Sequence, residues 1–170
     1  MKTDNLLIKI KDVSFFELLV SSLLIEFVLL FFLFFYLKTE EIIRDSIRKR
    51  DISQIGQILT SPCFTPNQIT DRKEYDLFFI LKEIGEKDDV YKIALPSIIK
   101  DPKTGTKEIS MYIHKISKDN NQCALYANLE SSFNKATLET TEPNPGEGTG
   151  ILEGTVDGWN GSPFYFQYSN

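Results

Sequence analysis

Histidine is almost missing from this chain: His114 is the sole one in 170 residues. A metal cluster or a Ser/His/Asp triad would have to be built around that one imidazole. Its position on the face opposite Ile113 in an alternating segment predicts an ordinary solvated side chain. No acid, base and nucleophile set can be drawn, so the expectation is a protein that is not an enzyme and needs no metal or cofactor. Phosphate-binding features are lacking too. Gly146-Glu-Gly-Thr-Gly150 has glycines but no strand before it, no helix after it and no Lys, and Glu147 would repel phosphate. A basic excess is also absent, with 19 Lys and Arg against 24 Asp and Glu and a net charge of −5, which speaks against nucleic acid as a partner. The one basic concentration, Arg44 to Arg50, is suited to lipid headgroups or to acids on a neighbouring helix. Cysteine occurs twice, at Cys63 and Cys123. These two form either one disulfide, if that part of the chain lies outside the cytoplasm, or a pair of buried free thiols.

What the chain does have is a long apolar run, inside DVSFFELLVSSLLIEFVLLFFLFFYLK from Asp12 to Lys38. Between Leu18 and Leu37 the only charge is Glu26, and twenty helical residues rise about 30 Å, the thickness of a bilayer's hydrocarbon core. A cleaved signal peptide has a shorter apolar core and a small-residue site after it, whereas this run ends in Tyr36-Leu-Lys-Thr-Glu40. The expectation is a retained transmembrane helix over 13–38 behind a basic leader, 1–12. Counting Lys and Arg on each side favours a cytoplasmic C-terminal part.

No Gly or Pro interrupts the chain from here to Gly56. Ile43 and Ile47 are four apart, and Ile52, Ile55 and Leu59 continue at three and four, so an amphipathic helix follows over 39–60 and Ser61-Pro62 stops it. The step of five from Ile47 to Ile52 turns the stripe, so the two groups face different neighbours. Glu40 with Arg44 and Asp45 with Lys49 have the spacing of exposed helical ion pairs.

Over 61–170 the pattern turns to alternation. Val90–Leu95, Glu108–His114, Gln122–Leu129 and Phe164–Tyr168 are predicted strands, with Ile109, Met111 and Ile113 sharing one face, as do Cys123, Leu125, Ala127 and Leu129. Asp101-Pro-Lys-Thr-Gly-Thr-Lys107 and Lys118-Asp-Asn-Asn121 supply turns, and Thr140 to Gly150 reads as an irregular loop. Periodicity leaves Tyr75–Ile84 open between a short helix and a buried strand. Such a sheet would leave one face uncovered, and Ile52, Ile55 and Leu59 can close it while Ile43 and Ile47 remain for neighbours. The predicted class is α+β: a long N-terminal helix packed on a small antiparallel sheet.

Two patches carry a family resemblance. Val13-Ser-Phe-Phe-Glu-Leu-Leu-Val-Ser21 is similar to the Phe-Thr-Leu-Ile-Glu-Leu-Leu-Val start of type IV pilins and type II secretion pseudopilins. Arg44-Asp-Ser-Ile-Arg-Lys-Arg-Asp-Ile-Ser-Gln-Ile55 resembles the Arg-Asp-Ala-Lys-Arg-x-x-Asp-Leu-x-Gln-Ile stretch of major-pseudopilin stalks, at a similar distance from the glutamate and without a gap. In that family a membrane peptidase cuts after a Gly; here Asp12 stands in its place, before Val13.

The resemblance implies a bitopic subunit of the bacterial inner membrane, with its N-terminus in the cytoplasm and its head periplasmic or extracellular. Its partners would be other pilin-like subunits, lipid and a prepilin peptidase, and Glu17 would be the assembly glutamate, pairing with a neighbour's free N-terminal amine. Those proteins also hold calcium in the head, where Asp157 is the nearest counterpart, although turn chemistry accounts for the local Gly and Asn without an ion. Glu26 belongs to neither patch. Nine residues from Glu17, it points to the opposite face, either bonded locally to Ser22 or contacting a neighbouring helix.

Overall fold

The structure, a computed structural model, describes residues 14–60, 63–66, 73–87, 99–119 and 121–169. The leader, with Asp12 and Val13, lies outside the described residues, as do the stop at Ser61-Pro62 and the predicted strand Val90–Leu95. The chain divides into two compact units between Glu40 and Glu41.

The first unit is helical. Helix α1 spans Phe15–Leu59, and its N-terminal part is long and apolar enough to cross a membrane. Ser14 and Glu17 start it as a capping box: the Phe16 amide donates to Ser14 Oγ (3.3 Å) and the Ser14 amide donates to Glu17 Oε2 (3.0 Å). From Phe15 to Leu37 every side chain is exposed. The hydroxyls in this stretch are satisfied within the helix, Ser21 donating to the Glu17 carbonyl (2.7 Å) and Ser22 to that of Leu19 (2.9 Å).

The second unit holds the rest of α1 and a five-stranded antiparallel sheet. The strands are β1 (Glu74–Asp76), β2 (Ile113–Ile116), β3 (Cys123–Asn128), β4 (Gly150–Glu153) and β5 (Phe164–Ser169), in the order β1-β2-β3-β5-β4. Register places His114 opposite both Tyr75 and Leu125, and Leu125 opposite Tyr168. Ile52, Ile55 and Leu59 of α1 close this face, together with Leu77, Ile80 and Ile84 of α2 (Leu77–Lys87). Gly56 allows the closest approach, because a Cβ there would lie 2.5 Å from the Tyr168 ring. The open segment Tyr75–Ile84 is thus a strand end followed by a helix. Asp76 is its cap, accepting from the Phe78 amide at 2.8 Å.

Three expectations need correction. The predicted strand Glu108–His114 is extended only from Ile113. The amides of Ser110 and Met111 turn to the Asp76 carboxylate (3.0 and 2.9 Å), and Met111 takes a positive φ of 63°, which ends any extended run. This reverses the faces: Tyr112, His114 and Ile116 are buried while Ile109 is exposed. His114, expected in solvent, is 0% exposed, and among the described residues neither ring nitrogen has a hydrogen-bond partner. Burial pushes its pKa down to about 4. Finally, the loop Thr140–Gly150 leads directly into strand β4, which the sequence pattern did not mark. Ile151-Leu152 is too short an apolar signal between Gly150 and Glu153.

β3 is buried along its whole length. Its second face is covered by an aromatic cluster in which Tyr126 meets Trp159 (6.3 Å between ring centres) and Tyr165 (6.2 Å).

Candidate functional site

The buried stripe of α1 does not begin at Ile52. It runs Asp45, Arg48, Ile52, Ile55, Leu59, at helical spacings of three and four throughout, and its first two members are charged. Arg48 is 0% exposed. Its Nε and Nη2 donate to the two oxygens of Asp101 (2.7 and 2.9 Å), Nη1 donates to Asp45 Oδ1 (2.8 Å), and Nη2 lies 2.6 Å from Glu130 Oε1. The fork geometry of a guanidinium meets the Asp101 carboxylate edge-on, which an ammonium cannot reproduce.

Each acid is held by further donors. Glu130 accepts both Nε and Nη2 of Arg44 (2.9 Å each) and pairs with Lys103 Nζ (3.0 Å). Asp45 accepts the backbone amides of Glu130 and Ser131 (2.8 and 2.9 Å) and the side-chain amide of Asn134 (2.8 Å). Asp101 accepts the amides of Lys103 and Thr104 (2.9 and 3.0 Å) and Asn160 Nδ2 (2.9 Å). Asn160 in turn is fixed to β3, its amide donating to Asn128 Oδ1 at 2.6 Å.

Electrostatics follow from this geometry. Burial opposes the charges of Asp101 and Glu130, yet the hydrogen bonds from Arg48, and for Glu130 from Arg44 and Lys103, outweigh it. Asp101 is held well below the usual carboxylate range, and Glu130 at about 2. Burial likewise opposes the Arg48 charge, and the same partners raise its pKa further. These three groups stay ionised near neutrality and exchange no protons there, so they do not serve as a general acid or base. What they do is fasten α1 to two loops of the sheet domain, one through Asp101 and one through Glu130, with Asn160 tying a third loop to Asp101.

This corrects the expectation for the Arg44 to Arg50 cluster. Arg44 and Arg48 face acids of their own sheet domain rather than lipid or a neighbouring helix, and Asp45 is a buried partner of Arg48 rather than half of an exposed pair with Lys49. Lys49 instead donates to Asn134 Oδ1 (2.7 Å). Asp101, expected only as a turn residue, is the central acid; Glu130 carried no sequence signal.

The other predicted site residues stand apart from this lock. Glu17 serves the capping box at the start of α1. Glu26 is exposed on the same helix, with no hydrogen-bond or ion-pair partner among the described residues, and Ser22 bonds to Leu19 instead. Cys63 and Cys123 are joined as a disulfide, with Cα atoms 5.4 Å apart, tying the chain just past α1 to the first residue of β3. Asp157 is exposed, and among the described residues no three His, Cys, Asp or Glu side chains group as metal ligands. Comparison with family models, curated proteins and solved structures finds no match to this chain.

Proposed function

We propose that the chain is a non-enzymatic, membrane-anchored, pilin-like subunit of a secretion or pilus filament, assembling through α1. The observation that carries this is a coincidence of sequence and geometry. The stalk-like segment Arg44–Ile55 stands in one register with the prepilin-like Val13–Ser21, and its Asp45, Arg48, Ile52 and Ile55 are the residues that fasten α1 to an antiparallel sheet. Ile43 is left exposed and available to a neighbouring stalk. The Cys63–Cys123 disulfide supports a head in an oxidising compartment, periplasmic or extracellular, with the N-terminus in the cytoplasm of a bacterial inner-membrane protein. That orientation runs against the bare count of basic residues. Partners on this reading are other pilin-like subunits, lipid and a prepilin peptidase.

N-terminal sequencing of the mature protein tests it. A chain beginning at Val13 is expected, with Glu17→Leu abolishing incorporation into filaments; an intact Met1 together with an unaffected Glu17→Leu variant overturns it. The capping box favours one alternative, a membrane-tethered binding or accessory module unrelated to filaments, because a glutamate that caps its own helix has a use in any anchor. Under that reading Glu17→Leu leaves function intact.

A further inference from the structure

Asn160 is followed by Gly161, and this is the chain's sole Asn-Gly pair. The pairing has a chemistry of its own. Glycine places no side chain beside its backbone nitrogen, so in a free chain that nitrogen reaches the preceding Asn side chain unhindered. Deprotonated by hydroxide, it attacks Cγ; the Cγ–Nδ2 bond breaks, and Nδ2 leaves as ammonia with a proton from water. Water then opens the cyclic imide at either carbonyl, giving Asp or isoaspartate. An amide and water go in, a carboxylate and ammonium come out, and nothing is oxidised or reduced.

In the folded head each nitrogen and oxygen that would take part is held elsewhere. The Gly161 amide donates to the Gly158 carbonyl (3.0 Å), and the Asn160 amide to Asn128 Oδ1 (2.6 Å). Asn160 Nδ2, the leaving group, donates to Asp101 Oδ2 and to the Asn128 carbonyl (2.9 Å each), while Oδ1 accepts from Thr104 Oγ1 (3.4 Å). Asn160 is also 6% exposed, which keeps away the water that the reaction consumes. Conversion therefore waits on loop 154–163 leaving its place.

The same contacts decide what conversion does. A carboxylate in place of the Asn160 amide has no proton to donate, so it sets oxygen against Asp101 Oδ2 and against the Asn128 carbonyl, where hydrogen bonds now stand. Asp101 already carries the negative charge that faces Arg48, both side chains being fully shielded, and a second acid adds like charge in the interior. Isoaspartate in addition lengthens the backbone by a methylene beside Trp159, whose ring packs on Tyr126 of β3. We propose that Asn160 is a spontaneous modification site gated by the fold: it converts to Asp or isoaspartate when loop 154–163 leaves Asp101 and Asn128, and a converted chain no longer rebuilds the lock around Asp101. Time spent with this loop open is thereby written into the covalent chain. The proposal rests neither on filament assembly nor on α1 crossing a membrane.

The test incubates three samples side by side in mildly alkaline buffer: the full chain in detergent, the same chain unfolded in urea, and the free peptide Val156–Tyr165. Mass and fragmentation of the C-terminal tryptic peptide Ala136–Asn170, and of the free peptide itself, follow the amide-to-acid change at Asn160. The peptide and the unfolded chain are expected to convert together, and the native chain slower by about a hundredfold or more, because its reaction passes through a rare local opening. A native chain that converts as fast as the peptide overturns the gating, and a peptide and unfolded chain that keep the amide overturn the site. Asn160→Asp supplies the converted residue at full occupancy. It should melt several degrees below the parent; a variant that melts with the parent overturns the claim that conversion blocks the lock.

Discussion

Arg48 and Asp101, 53 residues apart in sequence, meet through two hydrogen bonds of 2.7 and 2.9 Å with both side chains fully shielded from water. Each would be costly to bury alone, and each is fully bonded because the other is there. The pair ties a helix to a loop that apolar contact alone would leave free to slide.

Breaking it from one side is therefore expected to be expensive. Arg48→Ala should lower unfolding stability by about 3–5 kcal/mol, because it strands Asp101 and Asp45 in the interior. Arg48→Lys should recover only part of this, since an ammonium does not make the forked contact. Urea unfolding of the head followed by circular dichroism in detergent measures both. A full recovery with Lys would show that charge matters here and geometry does not.

Mild acid should loosen the head through His114. The folded ring titrates at about 4 rather than 6.5, so above pH 6.5 it is neutral in both states and contributes no pH dependence. As the pH falls from 6.5 to 4 the unfolded chain takes up the proton first, and stability drops by about 3 kcal/mol across that window. Glu130 loses its contribution lower, as the pH falls from 4.5 to about 2. His114→Leu should flatten the upper window and leave the lower one, as thermal melts at stepped pH would record.

Gly56→Ala should destabilise the head even though Ala is the better helix former by about 1 kcal/mol. Its methyl would stand 2.5 Å from the Tyr168 ring, and forcing α1 and β5 apart costs about 1–3 kcal/mol. Tyr168→Ala combined with Gly56→Ala should then cost less than the two single changes added, a non-additivity that a double-mutant cycle reads directly.

Removing the disulfide should cost about 4 kcal/mol on a chain-entropy estimate, because it closes a loop of 60 residues. Cys63→Ser with Cys123→Ser should melt correspondingly earlier than the oxidised parent. Reducing and non-reducing gels establish the starting state.

The helix and the centre of the sheet were legible because apolar periodicity marks them: Ile52, Ile55 and Leu59 at three and four, and Cys123, Leu125 and Ala127 at two. The same rule hid the lock. Following only apolar letters, the stripe appears to jump five residues from Ile47 to Ile52, whereas Asp45 and Arg48 carry it back in step. Charged residues read as surface unless their partners are known, and those partners lie in loops 53 and 85 residues away. His114 was misplaced for a related reason. Alternation gives two faces but not which one is covered, and Met111, by turning the chain at Asp76, settles it in a way that no local pattern shows. The cap at Glu17 has a local signal, the Ser-x-x-Glu spacing of Ser14 to Glu17, which the sequence reading above did not use.

The three fastenings of α1 to the sheet domain have a mechanical consequence. Tension entering the second unit at Glu41 would be met first by the Arg44 and Arg48 bridges, then by the packed turns from Ile52 to Leu59, and last by the covalent bond at Cys63. Noncovalent fastenings can yield and re-form, while the last sets a fixed limit to extraction. Pulled by its N-terminal end, this head can give up α1 as far as Cys63, and β3 releases that point only when the sulfurs part.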